Sequence, residues 1–516
     1  MAKCTTRVFL LSFTIAMVLL NGCMGQGRAR ENECQIDRLT ALEPSNRIQA
    51  EGGLTEVWDC QDQQFRCSGV TVIRRTIERN GLLLPSFTSG PELIYIEQGN
   101  GISGLMIPGC PETFESLSTQ EAWREGMERG MRGGRFQGQG QGQGQGRQGR
   151  FQDQHQKIRH LRQGDIFAMP AGVAHWAYNN GDEPLVAVIL IDTSNHANQL
   201  DKDVPRRFYL AGNPEQEHEQ QQGRHHQRRE FQEQGQQQQH HQRRGGESRR
   251  GGRQSDSGNV FSGFDTRTLA QSFGVSEEIA QRLQAEQDER GNIVLVQEGL
   301  HVVKPPSRSY EEREERSRGS RSRYGSMNGL EETICSARLS ENIDRPSEAD
   351  VYSPEAGRLT TLNSFNLPIL SFLRLSAEKG VLYRNAIMAP HYNLNAHSII
   401  YGVRGRARIQ IVNAQGNSVF DDELRQGQIV VVPQNFAVIK QATEEGFEWV
   451  SFKTCENALF QTLAGRTSAI RAMPVEVISN IYQISREQAH RLKFSRSETT
   501  LFRPENQGYQ RREIAA

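Results

Sequence analysis

The sequence predicts a mainly β protein made of two antiparallel jelly-roll β-barrels, each followed by a helical arm. Three observations support this prediction. Short segments rich in Val, Ile, Leu and Phe alternate with Gly, Pro and Asn turns, which is typical of antiparallel barrels and jelly rolls. A set of motifs occurs twice in the same order. Each series of short segments is followed by a stretch whose apolar residues have helical spacing.

The internal repeat defines the two halves. At 516 residues the chain is long enough for two core-forming domains with linkers. The repeated segments, given as pairs, are LRQGDIFAMP (161–170) and LRQGQIVVVP (424–433), Ile94-Tyr95 and Ile400-Tyr401, and VSEEIAQRL (275–283) and ISREQAHRL (484–492). The spacing between motifs is longer in the first half because low-complexity inserts interrupt it.

The segments expected to form strands are short and bounded by turn residues. In the first half they are 70–77, 93–97, 104–107, 165–169 and 185–191. In the second half they are 369–376, 398–403, 407–412, 428–432 and 449–453. The predicted helical arms are 266–288 and 468–494, in which Ser276 and Ser485 precede acidic residues in a helix-capping arrangement.

The first 25 residues have the features of a secretory signal peptide. Lys3 and Arg7 precede an apolar run, 8–20, that is too short to span a bilayer, and cleavage is expected after Gly25. No later stretch is apolar enough for a membrane helix. The mature chain is therefore expected to be soluble and to enter an oxidising lumen.

Composition excludes one class of partner and marks the unstructured parts. Lys and Arg number 61, as do Asp and Glu, so the zero net charge argues against a general nucleic-acid binder. Tracts of Gln, Gly, Arg and Ser cannot bury enough apolar area to fold. The predicted organisation is 1–25 signal peptide, 26–304 N-terminal domain with arm and disordered inserts at about 115–153 and 213–258, 305–328 disordered linker, and 329–516 C-terminal domain with arm.

The cysteines predict disulfides without fixing their pairing. Removal of the signal peptide leaves six of the eight cysteines: Cys34, Cys60, Cys67, Cys110, Cys335 and Cys455. In an oxidising compartment bonds between them are expected, but six cysteines allow 15 pairings. The sequence has no Asn-x-Ser/Thr sequon, so N-glycosylation is not predicted.

One motif of glycines, a proline and a histidine has a specific spacing. Gly164, Pro170, Gly172, His175 and Asn179 are separated by five, one, two and three residues. This motif resembles the second motif of the cupin superfamily, and its repetition makes the chain similar to a bicupin. In cupin enzymes that His joins a His-x-His pair and a Glu in binding a transition metal.

The metal-ligand set implied by the resemblance is incomplete in the first barrel. The His-x-His positions fall on Pro85 and Phe87, and the Glu position falls on Glu92, so His175 and Glu92 are retained. An open catalytic metal site generally needs about three protein ligands. His175, beside Trp176, is therefore interpreted as a buried structural histidine.

The second barrel retains fewer of these ligands. The corresponding positions fall on His391, Asn393 and Ser398, with the closing glycine at Gly405 and the late His position at Val438. One imidazole, His391, remains. No catalytic residue, metal or cofactor is therefore predicted in either barrel.

A closer resemblance covers essentially the whole mature chain. The segments that carry it are ECQIDRL (33–39), FRC (65–67), IPGCPET (107–113), NGLEETICS (328–336) and PHYNLNAH (390–397). Together they resemble the legumin-type 11S seed storage globulins. Taken alone, Asn328-Gly329 is better explained as a turn dipeptide in a linker, and the rest of the chain favours a processing site.

This resemblance implies how the precursor matures. An asparaginyl endopeptidase would cut between Asn328 and Gly329, leaving acidic and basic chains joined by a disulfide that matches Cys110–Cys335. A second disulfide would match Cys34–Cys67. Trimers formed in the endoplasmic reticulum would reach the protein storage vacuole and stack into hexamers, and members of the family are often food allergens. Cys60 and Cys455 have no partner in the family pattern, and the two halves differ in charge by only a few units.

The sequence thus predicts a non-enzymatic seed storage protein. Gln- and Arg-rich inserts add nitrogen and give proteases access, whereas dense disulfide-stabilised barrels resist premature digestion. Two alternatives belong to other classes: a metal-dependent bicupin enzyme such as oxalate decarboxylase, and a bicupin that binds a sugar or hormone in a barrel cavity. Phe87, Met169 and Trp176 are expected to fill such a cavity.

Overall fold

The computed structural model describes residues 34–108, 157–200, 206–213, 258–285, 288–300 and 337–503. The predicted signal peptide, the linker 305–328 and nearly all of both inserts lie outside the described residues. Asn328, Gly329, Cys110 and Cys335 lie outside them as well. Within the described ranges, no helix is long and apolar enough to cross a membrane.

The N-terminal half forms two facing antiparallel sheets. Its strands are β1 (Asn46–Ala50), β2 (Gly53–Val57), β3 (Val70–Ile77), β4 (Gly81–Thr88), β5 (Glu92–Gln98), β6 (Asn100–Met106), β7 (Lys157–Arg162), β8 (Asp165–Met169), β9 (Ala174–Tyr178), β10 (Leu185–Asp192), β11 (Arg207–Tyr209) and β12 (Ile293–Leu295). One sheet has the order β1-β2-β3-β10-β5-β8. The other has the order β11-β4-β9-β6-β7, with β12 beside β4.

The C-terminal half repeats this architecture with longer strands. These are β13 (Ser340–Asn342), β14 (Val351–Ser353), β15 (Gly357–Leu362), β16 (Ser376–Leu382), β17 (Ile387–Asn393), β18 (Ser398–Val412), β19 (Ser418–Arg425), β20 (Ile429–Val432), β21 (Ala437–Lys453), β22 (Phe460–Thr462) and β23 (Leu501–Phe502). The predicted fold of two jelly-roll barrels is confirmed.

Glycine makes the bend between the two sheets of each barrel. Gly405 interrupts the register of β18 and β21, has a φ of +70°, and a Cβ there would lie 2.3 Å from the Gly446 carbonyl oxygen. Gly99, between β5 and β6, has a φ of +80° and approaches the Pro184 carbonyl equally closely. Only glycine tolerates both conditions, so the repeated glycine marks the sheet corner.

One predicted strand is wrong in part. Residues 369–376 were expected to be extended, but Leu370–Leu373 form a short helix, α4, and β16 begins at Ser376. Arg374 ends the helix with a φ of +58°. Leu370 and Leu373 are both buried, so helical spacing placed their side chains in the core where strand alternation was assumed.

The arms consist of short helices rather than continuous ones. The first arm contains α2 (Thr266–Phe273) and α3 (Glu277–Gln284), and the second contains α5 (Ala469–Ala472), α6 (Val475–Tyr482) and α7 (Arg486–Phe494). Outside the arms, α1 (Gln63–Ser68) lies in the N-terminal half and α4 in the C-terminal half. Ser276 caps α3, and Ser485 forms a capping box with Gln488 at the start of α7. Left-handed residues Gly274 and Gln483 separate the helices of each arm.

The two halves exchange segments along their common boundary. Residues 34–42 of the N-terminal half, which we call the strap, lie on the C-terminal barrel, where Leu39 N–H donates to Val419 O at 2.7 Å and Leu42 pairs with Ile429. In return, β13 of the C-terminal half pairs with β8. A disulfide joins Cys34 at the start of the strap to Cys67 in α1. Each half therefore contributes backbone to the other's sheet.

A single apolar layer lies between the barrels. Its members come from the facing sheets of both, and include Trp58, Val72, Leu93, Tyr95, Val188, Leu375, Ile399, Tyr401, Val431, Val450 and Phe452. Two buried tyrosine hydroxyl groups form hydrogen bonds between the barrels. The Tyr401 hydroxyl donates to Glu97 Oε2 at 2.9 Å, and the Tyr95 hydroxyl accepts from Lys379 Nζ at 3.1 Å. These tyrosines occupy equivalent positions of the sequence repeat, so the contact has pseudo-twofold symmetry.

We expect Tyr401→Phe to reduce the free energy of unfolding by about 2 kcal/mol, because a buried hydrogen bond to a carboxylate is lost. Glu97 keeps its bond to Arg74 at 3.0 Å, which limits the loss. Chemical denaturation of both proteins measures the difference. Tyr352→Phe, at a tyrosine that is 62% exposed, is the matched control and should cost less than about 0.5 kcal/mol. Equal effects of the two changes would contradict this account.

Candidate functional site: the two barrel interiors

The first barrel interior contains a buried carboxylate that is already neutralised. Glu92 Oε1 accepts a bond from Arg207 at 2.7 Å and from the Thr88 hydroxyl at 3.0 Å, while Glu92 Oε2 lies 4.0 Å from His175 Nε2. Glu92, Arg207 and His175 are almost fully buried. The motif residues Glu92 and His175 therefore meet, and the guanidinium of Arg207 supplies a positive charge at the other carboxylate oxygen.

Electrostatics favours a neutral His175 and an ionised Glu92. Burial lowers the pKa of His175 to about 4, against the opposing influence of Glu92. Burial by itself would raise the pKa of Glu92, but Arg207, His175 and Arg75 together hold it below its ordinary value. The favourable pair in this site is thus Glu92–Arg207, with His175 as an uncharged neighbour.

The neighbour of His175 on β4 differs from the prediction. Ser86 pairs directly with His175, and Ser86 and Thr88 are buried in the barrel. Pro85 and Phe87, assigned to the His-x-His positions, are less buried, and strand alternation puts them on the other face of β4. Whether the His-x-His positions are assigned to Pro85 and Phe87 or to Ser86 and Thr88, β4 has no histidine there.

Two of the three residues expected to fill the barrel lie elsewhere. Met169 belongs to the interior cluster of the first barrel. Trp176 packs instead with Ile102 and Tyr178 in a separate outer cluster, since it follows His175 in β9 and faces the opposite side. Phe87 is partly exposed and stacks on Phe208, with ring centroids 5.1 Å apart.

The second barrel interior contains one carboxylate between two ammonium groups. Glu378 lies 4.0 Å from Lys440 Nζ and 3.7 Å from Lys453 Nζ, and it accepts a bond from the Trp449 indole at 3.4 Å. Lys453 also donates to Asn393 Oδ1 at 3.2 Å and to the Ser398 hydroxyl at 3.0 Å. Asn393 and Ser398, both at motif positions, therefore serve a lysine.

Burial determines the charge state of this cluster. It lowers the pKa of Lys440 to about 7, partly offset by Glu378, and lowers that of Lys453 in the same way. Burial would raise the pKa of Glu378, yet Lys453 and Lys440 hold it below its ordinary value. Burial and Lys440 lower the pKa of His391 to about 3, so this imidazole is neutral.

His391 has a structural hydrogen bond. Its Nδ1 lies 2.8 Å from the Ala389 carbonyl oxygen, so Nδ1 carries the hydrogen and donates it. His391 pairs with Val438 across the strands, as the motif positions imply. Its ring packs edge-on against Phe460. Among the described residues, neither interior brings three His, Cys or acidic donors close enough for one ion.

The sequence did not identify the basic residues that decide this chemistry. Arg207 lies on the short strand β11, just before the second insert, and Lys440 and Lys453 lie on β21 with other buried residues. The available signal was the occurrence of charged residues at inward positions of otherwise apolar strands, such as Glu378 between Ala377 and Lys379. Such residues need buried partners, but sequence does not show which ones.

The fold and the two interiors define a protein of the two-barrel cupin class. The model of the cupin family matches residues 39–216 and 341–490. The chain is 52% identical to 11S globulin seed storage protein 1 of Carya illinoinensis, with 95% of each chain covered. It is 47% identical to legumin A of Gossypium hirsutum, covering 96% of this chain and 97% of that one.

A solved structure agrees with these relatives. The crystal structure of the coconut allergen cocosin has a TM-score of 0.71 and 42% identity, covering 91% of this chain and 100% of that chain. The chain therefore belongs to the cupin family and, within it, to the 11S or legumin-type seed storage globulins. The predicted family is confirmed.

The neutral buried histidines predict a specific loss of stability in acid. An unfolded histidine binds a proton below a pKa of about 6.5, whereas folded His391 does so only near 3. Unfolding therefore takes up protons over this range, and stability falls as the pH falls through it. From pH 7.5 to 5, His391→Gln should lose about 2 kcal/mol less unfolding free energy than the native sequence.

Urea denaturation at the two pH values tests this prediction. His490→Gln, at a histidine exposed on α7, is the control for replacing an imidazole outside the barrel, and its unfolding free energy is measured at the same two pH values. If His391→Gln and the native sequence lost the same free energy, His391 would not be held neutral by the barrel.

Proposed function

We propose that the chain is a nutrient-storage protein of seeds, made as a precursor and packed in the protein storage vacuole. The observation that carries the proposal is the occupation of both cupin centres by internally paired charges. Arg207 neutralises Glu92, and Lys440 and Lys453 neutralise Glu378. The imidazole of each interior is neutral near pH 7, because burial lowers the pKa of His175 to about 4 and that of His391 to about 3.

Trimerisation is part of the proposal and is supported by the arms. Each arm leaves large apolar side chains exposed: Phe273 and Ile279 on the first, and Val477, Ile481 and Leu492 on the second, between 41% and 53%. Because the arms differ, pairing the first arm of one copy with the second arm of the next is a head-to-tail contact, which forms a ring when the rotation between copies closes. The legumin resemblance implies three copies.

A second exposed patch supports the stacking of trimers into hexamers. Phe365 is 85% exposed, Leu459 59% and Leu394 40%. They lie together because Ser364 N–H donates to Glu456 O at 3.0 Å and Leu394 N–H donates to Leu459 O at 2.8 Å. An apolar patch of this kind on a soluble protein indicates a contact surface.

Maturation is proposed to cut Asn328–Gly329 while Cys110–Cys335 keeps the chains joined. The extensive contact between the halves supports the proposal that they stay together after the cut. The strap and β13 already connect the barrels through backbone bonds. A cut between residues 300 and 337 would therefore leave the folded halves in contact.

Asn328→Ala is expected to block maturation, because an asparaginyl endopeptidase requires Asn before the cut bond. In seeds, or after treatment of the purified precursor with such a protease, the variant should remain one chain on a reducing gel and remain trimeric by size. Asn417→Ala, at an exposed asparagine elsewhere in the C-terminal half, is the control and should be processed. Two-chain hexamers from Asn328→Ala would refute the assigned cleavage site.

Cys335→Ser is expected to separate the mature chains on a non-reducing denaturing gel, because their covalent link is lost. The barrels should still unfold at nearly the native temperature, since the apolar layer between them is unaffected. Cys455→Ser, at a free thiol, is the control and should leave the chains joined. Chains that remained linked in Cys335→Ser would contradict the proposed pairing.

A further inference from the structure

The start of the strap, α1 and a turn of the C-terminal barrel meet at the Cys34–Cys67 disulfide. Cys34 is partly exposed, whereas Cys67 is fully buried. Neighbouring Gln64 is also buried; its side chain donates to Thr40 O of the strap at 3.0 Å and accepts from Val431 N–H of β20 at 3.1 Å. The disulfide therefore lies at a fixed junction between the two halves.

The C-terminal barrel places an imidazole against this disulfide. A ring nitrogen of His397 and the sulfurs of Cys34 and Cys67 all lie within 4.8 Å of one another. His397 is oriented by its backbone, which exchanges hydrogen bonds with Thr454 at 2.9 and 3.3 Å, and by Gln434 N–H, which donates to Nδ1 at 3.2 Å. With Nδ1 accepting, the neutral ring carries its hydrogen on Nε2.

We propose that this junction is a thiol–disulfide exchange site for dithiol reductants. Cys34 is the sulfur that is attacked, Cys67 is the leaving group, and His397 stabilises the leaving thiolate. The assignment follows from which sulfur a nucleophile can reach and from the need to stabilise negative charge on the leaving sulfur. A nucleophile can approach the partly exposed Cys34, whereas Cys67 is closed off from solvent.

The leaving sulfur needs the help that His397 offers. Cys67 is packed in the apolar cluster of the second barrel, and a thiol in apolar surroundings ionises reluctantly. It also lies in the last turn of α1, where carbonyl groups disfavour negative charge. An imidazole N–H beside the sulfur opposes both effects, and a leaving thiolate of lower pKa departs faster.

The reaction is balanced as follows. One thiolate of the dithiol attacks Cys34 Sγ, the Cys34–Cys67 bond breaks, and its electron pair goes to Cys67 Sγ, whose thiolate accepts a hydrogen bond from His397 and is then protonated by water. The second thiol of the reductant then attacks the mixed disulfide and releases Cys34, which takes a proton from water. The dithiol is oxidised by two electrons and the cystine is reduced to two cysteines, while His397 keeps its proton throughout.

Cleavage would loosen the contact between the halves. Covalent attachment of the strap to α1 would be lost, leaving its backbone bonds at Leu39 and Leu42 and the side chain of Gln64. The Cys34–Cys67 disulfide is thus a point at which reduction in the seed would release the N-terminal end of the chain from the second barrel.

The direction of attack can be tested on the native sequence. Glutathione, a monothiol, should form a mixed disulfide on Cys34 and leave Cys67 as the thiol, which iodoacetamide then labels. Peptide mass spectrometry distinguishes the two sulfurs, and it also separates them from every other cysteine. Glutathione found mainly on Cys67 would overturn the proposed direction.

The role of His397 can be tested by the rate of reduction with dithiothreitol at pH 6.5. His397→Asn, which keeps a polar side chain, should slow reduction of Cys34–Cys67 about tenfold. His196→Asn, at an exposed histidine of the N-terminal half, is the control and should stay within about twofold of the native rate. Free imidazole should restore much of the rate in His397→Ala, which a purely structural role would not allow.

Either of two results would overturn the role of His397. One is a native rate in His397→Asn with the native thermal midpoint. The other is a slow His397→Ala that free imidazole does not accelerate. Since these readouts concern one disulfide of the isolated protein, they are independent of whether the protein serves as a seed store.

Discussion

Tyr401 reaches from the second barrel to Glu97 of the first, and Lys379 reaches to Tyr95, within an apolar layer from which water is excluded. A buried polar group there needs a hydrogen-bond partner, because an unpaired one would cost the free energy of its lost hydration, and Tyr401 finds its partner on the opposite half. The two barrels can therefore reach their lowest free energy only together. The strap and β13 add backbone hydrogen bonds between the halves to this contact.

The same constraint on buried polar groups explains the barrel interiors. An ionised carboxylate in a closed barrel requires a cation, and in this protein arginine and lysine supply it where a metal would serve in a cupin enzyme. The two halves use different solutions at equivalent places. Ile73 pairs with Ile189 in the first barrel, whereas Glu378 pairs with Ser451 in the second. Repeated architecture thus tolerates unrelated interior chemistry, provided that each interior charge is neutralised.

Much of the fold was predictable from sequence because it depends on local rules. Strand alternation, the turn in LRQGDIFAMP, the glycine of the sheet corner and the serine caps of the arms each act within a few residues. The errors occurred where local rules are ambiguous. The apolar run 369–376 suits a buried strand or a short helix, and the positions of Pro85 and Phe87 depended on an alignment that is uncertain by one residue, which reverses the face of a strand.

The sequence by itself determined the double barrel, the family and the absence of the usual His-x-His pair in both halves. Only the tertiary structure decided which basic residue neutralises Glu92 and Glu378, where Trp176 lies, and that His397 is beside the Cys34–Cys67 disulfide. These relations join residues that are distant in the chain, such as Cys34 and His397. Their proximity arises from the register of strands and the packing of one half on the other, which local sequence does not encode.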